Sequence, residues 1–504
     1  MTKVSDLEYL RFNKWKRFGY RFVLFFVSIP SFFLSLFKKI GLFFKNLGLG
    51  IAHYFRDLVL TFIHGSWKTK VSYFIMGFGS CARKQWLRGI LFFLMEVVFI
   101  IFMVLVGSHY LGKLGSLGTL GRTEVYDPIR DVNVYQYHDN SFKILLYSVL
   151  SIFFIIAFIY TWSLNIKQNR INDEIEKDKK KMATDKDDLR SVVDENFHRT
   201  LLTLPSLGII IFTILPIVFM ILIAFTSYDV DHDGYVNLFH WVGFKNFNKL
   251  FTWTSGGASF SATFGEILVW TLIWAFFATF TNYFLGMLVA MLINRKGIKL
   301  KKVWRTVLVL SIAIPQFISL LFVSKMFSEG GIINGILSKL SGHVVTLPFW
   351  TDPIWAKFTV IIINIWIGIP YLMLITTGIL MNVPQDLYES AKIDGANVWQ
   401  QYVKITLPYM LFVTGPYLLT SFTANMNNFN VIYLLTGGGP SSNSLYGSAG
   451  KTDLLITWLY SLTVNDSSYN LASVIGIMVF AVVAIISLIV YNLIPSTKNE
   501  EDFQ

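Results

Sequence analysis

Residues 200–228, 267–294, 358–385 and 467–497 contain no Asp, Glu, Lys or Arg. A helix needs about 20 mostly apolar residues to cross the hydrocarbon core of a bilayer, and each of these stretches exceeds that. The buried helices of a large soluble protein would not supply so many uncharged runs of this length. Composition agrees: 54% of the 504 residues are hydrophobic and 15% are charged, against about 25% charged in a typical soluble domain. The chain is therefore expected to be an all-α membrane protein in the cell membrane. Eight transmembrane helices are expected, at about 88–107, 143–164, 201–226, 267–293, 304–326, 356–380, 409–435 and 470–494.

Basic residues set the orientation, because Lys and Arg collect on the cytoplasmic side. The loop 295–305 holds Arg295, Lys296, Lys299, Lys301, Lys302 and Arg305 with no acid, and residues 66–88 hold Lys68, Lys70, Arg83, Lys84 and Arg88. The opposite loops are poor in them: 227–266 has Lys245 and Lys249, and 437–469 has Lys451. Eight crossings then leave both termini in the cytoplasm. The net charge of +12 follows from this bias rather than from binding nucleic acid. The single cysteine, Cys81, allows no intrachain disulfide. The basic first 20 residues lack a following cleavage site, so no removable signal peptide is expected.

Residues 22–37 are apolar but short, and Pro30 interrupts them. They are read as an amphipathic segment lying on the inner leaflet, the alternative being a helical hairpin that dips in and returns. Acids and bases balance in 165–200, which reads as a solvated helix or flexible tether. The expected organisation is a cytoplasmic or interfacial segment (1–65), a two-span membrane extension (66–164), a charged cytoplasmic linker (165–200), a six-span core (201–494) and a cytoplasmic tail (495–504).

One loop of that core, 384–408, carries a distinctive pattern on the side assigned to the cytoplasm. Pro384 suits the first turn of a helix and Gly395 can take the left-handed conformation that ends one. A second short helix is expected to run to Leu407, with Pro408 ahead of the next span. Small residues Ser390, Ala391 and Ala396 flank the turn, beside Asp394, so the bend could enter a groove on a partner.

Glu389, Ser390, Ala391, Gly395, Ile405, Leu407 and Pro408 stand at the spacing of the EAA loop of ABC importer permeases, and this segment resembles that loop. One position departs: Ser390 stands where the pattern has Ala. The segments Phe225–Asp229, Trp241–Phe247, Asn427–Phe429 and Leu435–Pro440 are similar to maltose and maltooligosaccharide permease subunits of the MalF type. The resemblance covers roughly 201–494. The short loop 227–266 and the longer N-terminal extension look more like Gram-positive members.

Two spans carry polar residues on one face. Asn364, Gly368 and Tyr371 are spaced i, i+4, i+7, and so are Ser421, Asn425 and Asn428, which places each set on one side of a helix. Amides and hydroxyls both donate and accept hydrogen bonds, which suits a neutral, hydroxyl-rich ligand, and Gly368 would let a sugar ring approach the backbone. The competing reading is interhelical glue, since Ser, Asn and Gly are common where membrane helices pack. The resemblance implies a sugar site at Asn364, Ile367, Gly368, Tyr371, Ser421, Ala424, Asn425 and Asn428. Ala424 replaces an aromatic residue of the family, which removes a stacking surface.

Other candidates are rejected. Gly450-Lys451-Thr452 lacks the first glycine of a phosphate-binding loop, because Leu445 stands there. Asp229, Asp231 and Asp233 begin like a calcium loop, but the twelfth position is His240 instead of Glu. Glu96, inside an apolar span, is expected to pair locally with Arg88 and Lys84. No cofactor or metal is expected in this chain and it is not itself an enzyme; ATP and Mg would be bound by a partner.

The resemblance implies the permease subunit of an ATP-binding-cassette importer for an oligosaccharide such as a maltodextrin, with another oligosaccharide such as a galacto-oligosaccharide as the alternative. The implied partners are a second, MalG-like permease subunit, a dimeric ABC ATPase, an extracellular sugar-binding protein and the lipid bilayer. The rival class is an ion-coupled secondary transporter. It predicts paired ionisable residues near the midplane and often an internal repeat; the core has almost no midplane charge and no clear repeat.

Overall fold

The computed structural model describes residues 14–232, 238–252, 258–295 and 297–493, and for residues 14, 15, 17–37, 40 and 493 it describes the backbone alone. The elements used below are helices α1 (Lys14–His64), α2 (Trp86–Lys113) and α3 (Ser141–Lys177), with a hairpin of strands β1 (Arg122–Asp127) and β2 (Val132–Tyr137) between α2 and α3. Then follow α4 (Phe197–Ile223), α5 (Phe260–Asn294), α6 (Lys301–Ala313), α7 (Gln316–Met326), α8 (Pro353–Leu380) and α9 (Gln385–Ile393). Last come α10 (Val398–Gln401), α11 (Leu407–Met426), α12 (Phe429–Thr436), α13 (Leu455–Val464) and α14 (Tyr469–Leu493).

Among the described residues, seven helices are long and apolar enough to cross a membrane, and eight if the bent pair α6–α7 counts as one. Each coincides with an expected span. The expected straight span at 304–326 is instead bent by 91°. Ile314 is extended, at ψ 126°, because the ring of Pro315 disfavours helical backbone in the residue before it. At the N-terminus, α1 runs as one unbroken helix through Pro30, so the chain does not turn back there as a hairpin. The β1–β2 ribbon, paired antiparallel from Arg122↔Tyr137 to Asp127↔Val132, is an addition to the all-helical expectation.

The chain forms two compact units, 1–109 with 150–208, and 110–149 with 209–504. In the first, the segment read as the start of a solvated linker is a structured continuation of α3. Asn165, Asn169, Asn172 and Asp173 share one face and are buried. Asn165 receives the Gly77 N–H at 3.1 Å and donates to Ser72 O at 2.9 Å. Asn172 donates to Gln85 Oε1 at 2.9 Å. Arg83, almost fully buried, donates to Asn169 Oδ1 at 3.0 Å, Gly79 O at 2.9 Å and Glu176 Oε2 at 3.1 Å, and pairs with Asp173. Buried charge survives only when paired and hydrogen-bonded; this guanidinium is both, and it ties the turns of 66–85 to α3. The expected partners of Glu96 are corrected as well. Its Oε2 accepts the Met76 N–H at 2.8 Å, while Arg88 pairs with Asp188. A backbone donor on the facing turn satisfies the carboxylate where the expected cations lie elsewhere.

In the second unit α5 is central. It is the most buried span, with 44% of its most apolar window inside the protein. Ile267 packs with Trp458 and Val474. Trp270, Trp274 and Ala278 pack with Leu320, Val360, Ile363 and Val431. Tyr283 and Met287 pack with Leu372, Met410 and Leu418. Gly286 allows a close approach to α8: a Cβ there would stand 2.7 Å from Leu372 Cβ.

The segment 436–457 closes into a knot. Thr436 and Thr452 hydroxyls meet at 2.8 Å, Thr452 O accepts Trp270 Nε1 at 3.0 Å, and Gly450 packs on the backbone of Gly438. Asp453, buried, accepts the Gly450 N–H and the Thr457 hydroxyl, each at 2.7 Å. A Cβ at Gly438 would collide with its carboxylate, and Gly438 also has φ +87°, so only glycine fits. In the same knot, Lys451 pairs with Glu266 at 2.7 Å, a surface role rather than phosphate binding. Of the acids that begin like a calcium loop, Asp229 pairs with His232 at 2.6 Å; Asp233 lies outside the described residues. Among those residues no group of three or more His, Cys, Asp or Glu side chains could hold a metal ion.

Two outcomes follow from these contacts. Removing one partner of a buried ion pair costs about 3–5 kcal/mol, so Arg83→Ala should loosen the 66–85 turns. Cys81 lies in that segment, its Sγ packed on Gly89, and as the single cysteine it is a clean reporter. Its maleimide labelling should accelerate at least about tenfold in the variant; an unchanged rate would show that Arg83 does not hold these turns. The second outcome concerns Asp453, whose burial pushes its pKa up from 3.8 to about 6. The folded state therefore holds this proton more tightly than the unfolded one. The stability this gives is complete below the ordinary carboxylate range and disappears as pH rises through 6, on the order of 3 kcal/mol in all. Thermal unfolding between pH 4 and 8 should lose a pH-dependent component in Asp453→Asn; identical profiles for the two proteins would refute the assignment.

Candidate functional site

The loop 384–408 forms the expected helix, glycine turn and second helix. Pro384 precedes α9, and Gly395 takes φ +76°. The Gly395 N–H reaches Lys392 O at 3.0 Å and the Ala396 N–H reaches Ala391 O at 2.8 Å, which closes the carbonyls at the helix end. Asn397 then caps α10 in a reciprocal pair with Gln400. The second helix does not stop at Leu407 as expected: it passes through a π-turn at Tyr402–Thr406 straight into α11. Pro408 therefore lies inside a continuous helix, two residues past the π-turn, where its ring and missing N–H interrupt the regular hydrogen-bond ladder. Tyr388 and Thr406 hydroxyls meet at 2.9 Å and fix the angle between the two arms.

Ile393, Val398 and Trp399 stand out at the turn, 87%, 81% and 70% exposed. Ala391, Asp394, Gly395, Ala396 and Ile405 line a shallow pocket between the arms. Nothing lies within 4 Å of where a Gly395 Cβ would be. Glu389, Ser390 and Leu407 belong to the same two arms. An exposed apolar knob beside an open notch is the shape of a surface that enters a partner.

The polar residues of α8 and α11 gather on a helix that sequence reasoning had not included, α5. Asn425 donates its Nδ2 to Thr279 Oγ1 at 3.0 Å, and its carbonyl accepts Trp274 Nε1 at 3.1 Å. Asn428 donates to Asn425 Oδ1 at 3.3 Å and its own Oδ1 caps α12 through the Val431 N–H. One turn along α5 from Thr279, the amide of Asn282 rests on Gly368: a Cβ at Gly368 would lie 2.3 Å from Asn282 Nδ2. The space above Gly368, expected to admit a sugar ring, is thus occupied by Asn282. Asn364 is buried one turn before Gly368. Ser421 is half-buried. Tyr371 is 52% exposed, Ala424 is exposed, and Ile367 packs against the apolar cluster around Trp270 and Trp274.

The structure therefore joins Asn425 to Asn428 and to Thr279, and sets Gly368 against Asn282. All are uncharged, and the set offers donors and acceptors without an ion partner. Thr279 and Asn282 had a sequence signal: with Gly286 they share one face of α5 at i, i+3, i+7, and Asn282 is the only amide side chain in 267–293. A π-turn at Phe277–Thr281 sits next to them, a distortion that frequently marks functional sites.

Comparison with known proteins identifies the family. Residues 282–499 match the family described as binding-protein-dependent transport system inner membrane component. The galactooligosaccharides transport system permease protein GanP of Bacillus subtilis is 33% identical over 431 residues, covering 84% of this chain and 97% of that protein. The maltodextrin transport system permease protein MalC of Streptococcus pneumoniae is 35% identical over 434 residues, 83% of this chain and 93% of that one. The maltose/maltodextrin permease protein MalF of Escherichia coli is 36% identical over 252 residues, 49% and 48% of the two chains. A solved bacterial ABC transporter that imports alginate superposes with a TM-score of 0.47 at 22% identity, covering 60% of this chain and 97% of that one. With relatives this similar along nearly their whole length, the chain belongs to the family of binding-protein-dependent transport system inner membrane components.

Proposed function

We propose that this chain is the permease subunit of an ATP-binding-cassette importer that carries an oligosaccharide of the maltodextrin class across the cell membrane by alternating access. The observation that carries the reading is the pairing of two features on one chain: an exposed apolar knob at Ile393, Val398 and Trp399, and a buried uncharged polar layer among α5, α8 and α11. The knob is the point where a separate ATPase drives the chain. The polar layer is where a neutral sugar pauses. ATP, with Mg, binds the partner ATPase; its binding must favour one access state through differential affinity. One knob serves one groove of an ATPase dimer, so a second permease subunit supplies the other. A sugar-binding protein delivers the substrate at the outer face, and both termini lie in the cytoplasm. The sugar contacts are Asn364, Ile367, Gly368, Tyr371, Ser421, Ala424, Asn425 and Asn428. The coupling contacts are Glu389, Ser390, Ala391, Asp394, Gly395, Ala396, Ile405, Leu407 and Pro408.

A galacto-oligosaccharide is the second reading, since GanP is as similar to this chain as the maltodextrin permeases are. Purified complex supplied with maltotriose or β-1,4-galactotriose separates the two: the cognate sugar, with its binding protein, stimulates ATP hydrolysis.

Each surface has its own test. Gly395→Val meets no steric neighbour, so its cost is the left-handed backbone, about 1–2 kcal/mol. It should reduce co-purification of the ATPase and transport at least about tenfold while membrane insertion persists; full co-purification would refute the coupling role. Tyr371→Ala should raise the half-saturating sugar concentration about tenfold, the loss of one ring contact worth near 1.4 kcal/mol. An unchanged value would remove Tyr371 from the sugar site.

A further inference from the structure

Two side-chain atoms in the polar layer have no hydrogen-bond partner among the described residues, Asn282 Oδ1 and Asn364 Nδ2. Both residues are more than nine-tenths buried, at 5% and 6% exposure. They flank the same glycine: Asn282 lies on Gly368 from α5, and Asn364 precedes it by one turn on α8. One orphan is an acceptor and the other a donor. A buried amide atom without a partner is destabilising, and such groups are rare in folded proteins. The neighbouring amides show what a purely structural role looks like here. Asn425 and Asn428 use both ends of their side chains within the protein, whereas Asn282 Oδ1 and Asn364 Nδ2 are buried without a partner among the described residues. Packing does not demand an amide at 282 either. Four residues on, Gly286 makes the corresponding α5–α8 contact, against Leu372 and the Met373 backbone, with no polar side chain.

We infer that Asn282 is a further substrate-binding residue: its Oδ1, with Asn364 Nδ2, forms a donor–acceptor pair for one hydroxyl group of the oligosaccharide at Gly368. A sugar hydroxyl donates one hydrogen bond and accepts another, so a single hydroxyl satisfies both orphans. For the hydroxyl to enter, the Asn282 amide must rotate off Gly368, which couples sugar entry to a rearrangement at the α5–α8 contact. Asn282 then discriminates against deoxy sugars at this position, because a site built to bond a hydroxyl rejects the analogue lacking it when its buried groups stay unpaired.

This inference rests on the oligosaccharide-importer reading, and Tyr371→Ala serves as the separate check on it. The experiment is sugar-stimulated ATP hydrolysis by the complete transporter, using whichever of maltotriose and β-1,4-galactotriose drives the wild-type complex. It is paired with thermal unfolding of the same samples. Asn282→Leu keeps the side-chain shape and removes the orphan. It should raise the half-saturating sugar concentration at least about tenfold while the unfolding temperature holds or increases, since replacing an unsatisfied polar group by an apolar one of like shape is neutral or stabilising. Asn282→Ala gives the same rise in half-saturation if the leucine variant fails to assemble. An unchanged half-saturation in the Asn282 variants, with Tyr371→Ala shifted, overturns the role of Asn282 alone. A lowered unfolding temperature with unchanged half-saturation makes Asn282 a packing residue and also overturns it. If neither Tyr371→Ala nor the Asn282 variants shift the sugar dependence, the sugar site itself is wrongly placed.

Discussion

The contact between α5 and its neighbours organises the core of this protein. Hydrocarbon offers a backbone no hydrogen-bonding partner, so membrane-spanning segments must satisfy their polar groups internally. Once they have done so as helices, there is little hydrophobic gain in pressing one against another. Association then depends on close packing and on the few polar side chains available. On α5 these two means sit side by side. Trp270 and Trp274 fill the apolar space toward α7, α8 and α12. Trp274, Thr279 and Tyr283 each hydrogen-bond α11, the last through Thr414 at 2.8 Å. Gly286 brings α8 to backbone distance. The helices that carry the candidate sugar residues are thus held by one strut.

That arrangement bears on the two meanings an amide can have in a membrane. Asn425 and Asn428 carry the i, i+4, i+7 pattern with Ser421, yet their hydrogen bonds are spent on α5, on each other and on the cap of α12. They have the character of glue whatever else they do. Asn364 has the same sequence signature on α8 and keeps a free donor. Periodicity places residues on a face but says nothing of whether the opposing helix satisfies them. That is why the spacing was legible and the distinction was not.

Elsewhere the sequence was read well where one physical variable dominates. Span positions depend on apolar length, and every expected span has its helix. The coupling loop depends on Pro384, Gly395 and the cap at Asn397, all local, and it folds as expected up to the π-turn at Tyr402–Thr406. The failures share a different cause. The stretch 165–200 looked solvated because its charges balance. Arg83 pairs with the buried Asp173, 90 residues on, and with the exposed Glu176, 93 residues on. Glu96 was assigned cations on its own side of the chain, but a backbone N–H from the facing turn reached it first. Thr279 and Asn282 were passed over because α5 read as uniformly apolar. In each case the deciding partner is remote in sequence.

The two ends of the mechanism differ in how they are built. The knob is strongly determined by local features: the left-handed Gly395 that ends α9, the Asn397 cap and the Tyr388–Thr406 hydroxyl pair set its angle. A rigid lever of that kind transmits a push with little loss. The polar layer is the reverse. Its two unpaired amide atoms and the π-turn beside them are local departures from the best-satisfied structure, and such departures persist only when the surroundings enforce them. Trp274, Tyr283 and Gly286 provide that enforcement. A lever pushing on α11 through the continuous helix from Val398 acts on the same seam that Thr279 and Asn425 close. In the importer proposed above, a displacement at the knob would reach the α5 contacts along one continuous helix, because Asn425 on α11 is hydrogen-bonded to Thr279 at 3.0 Å.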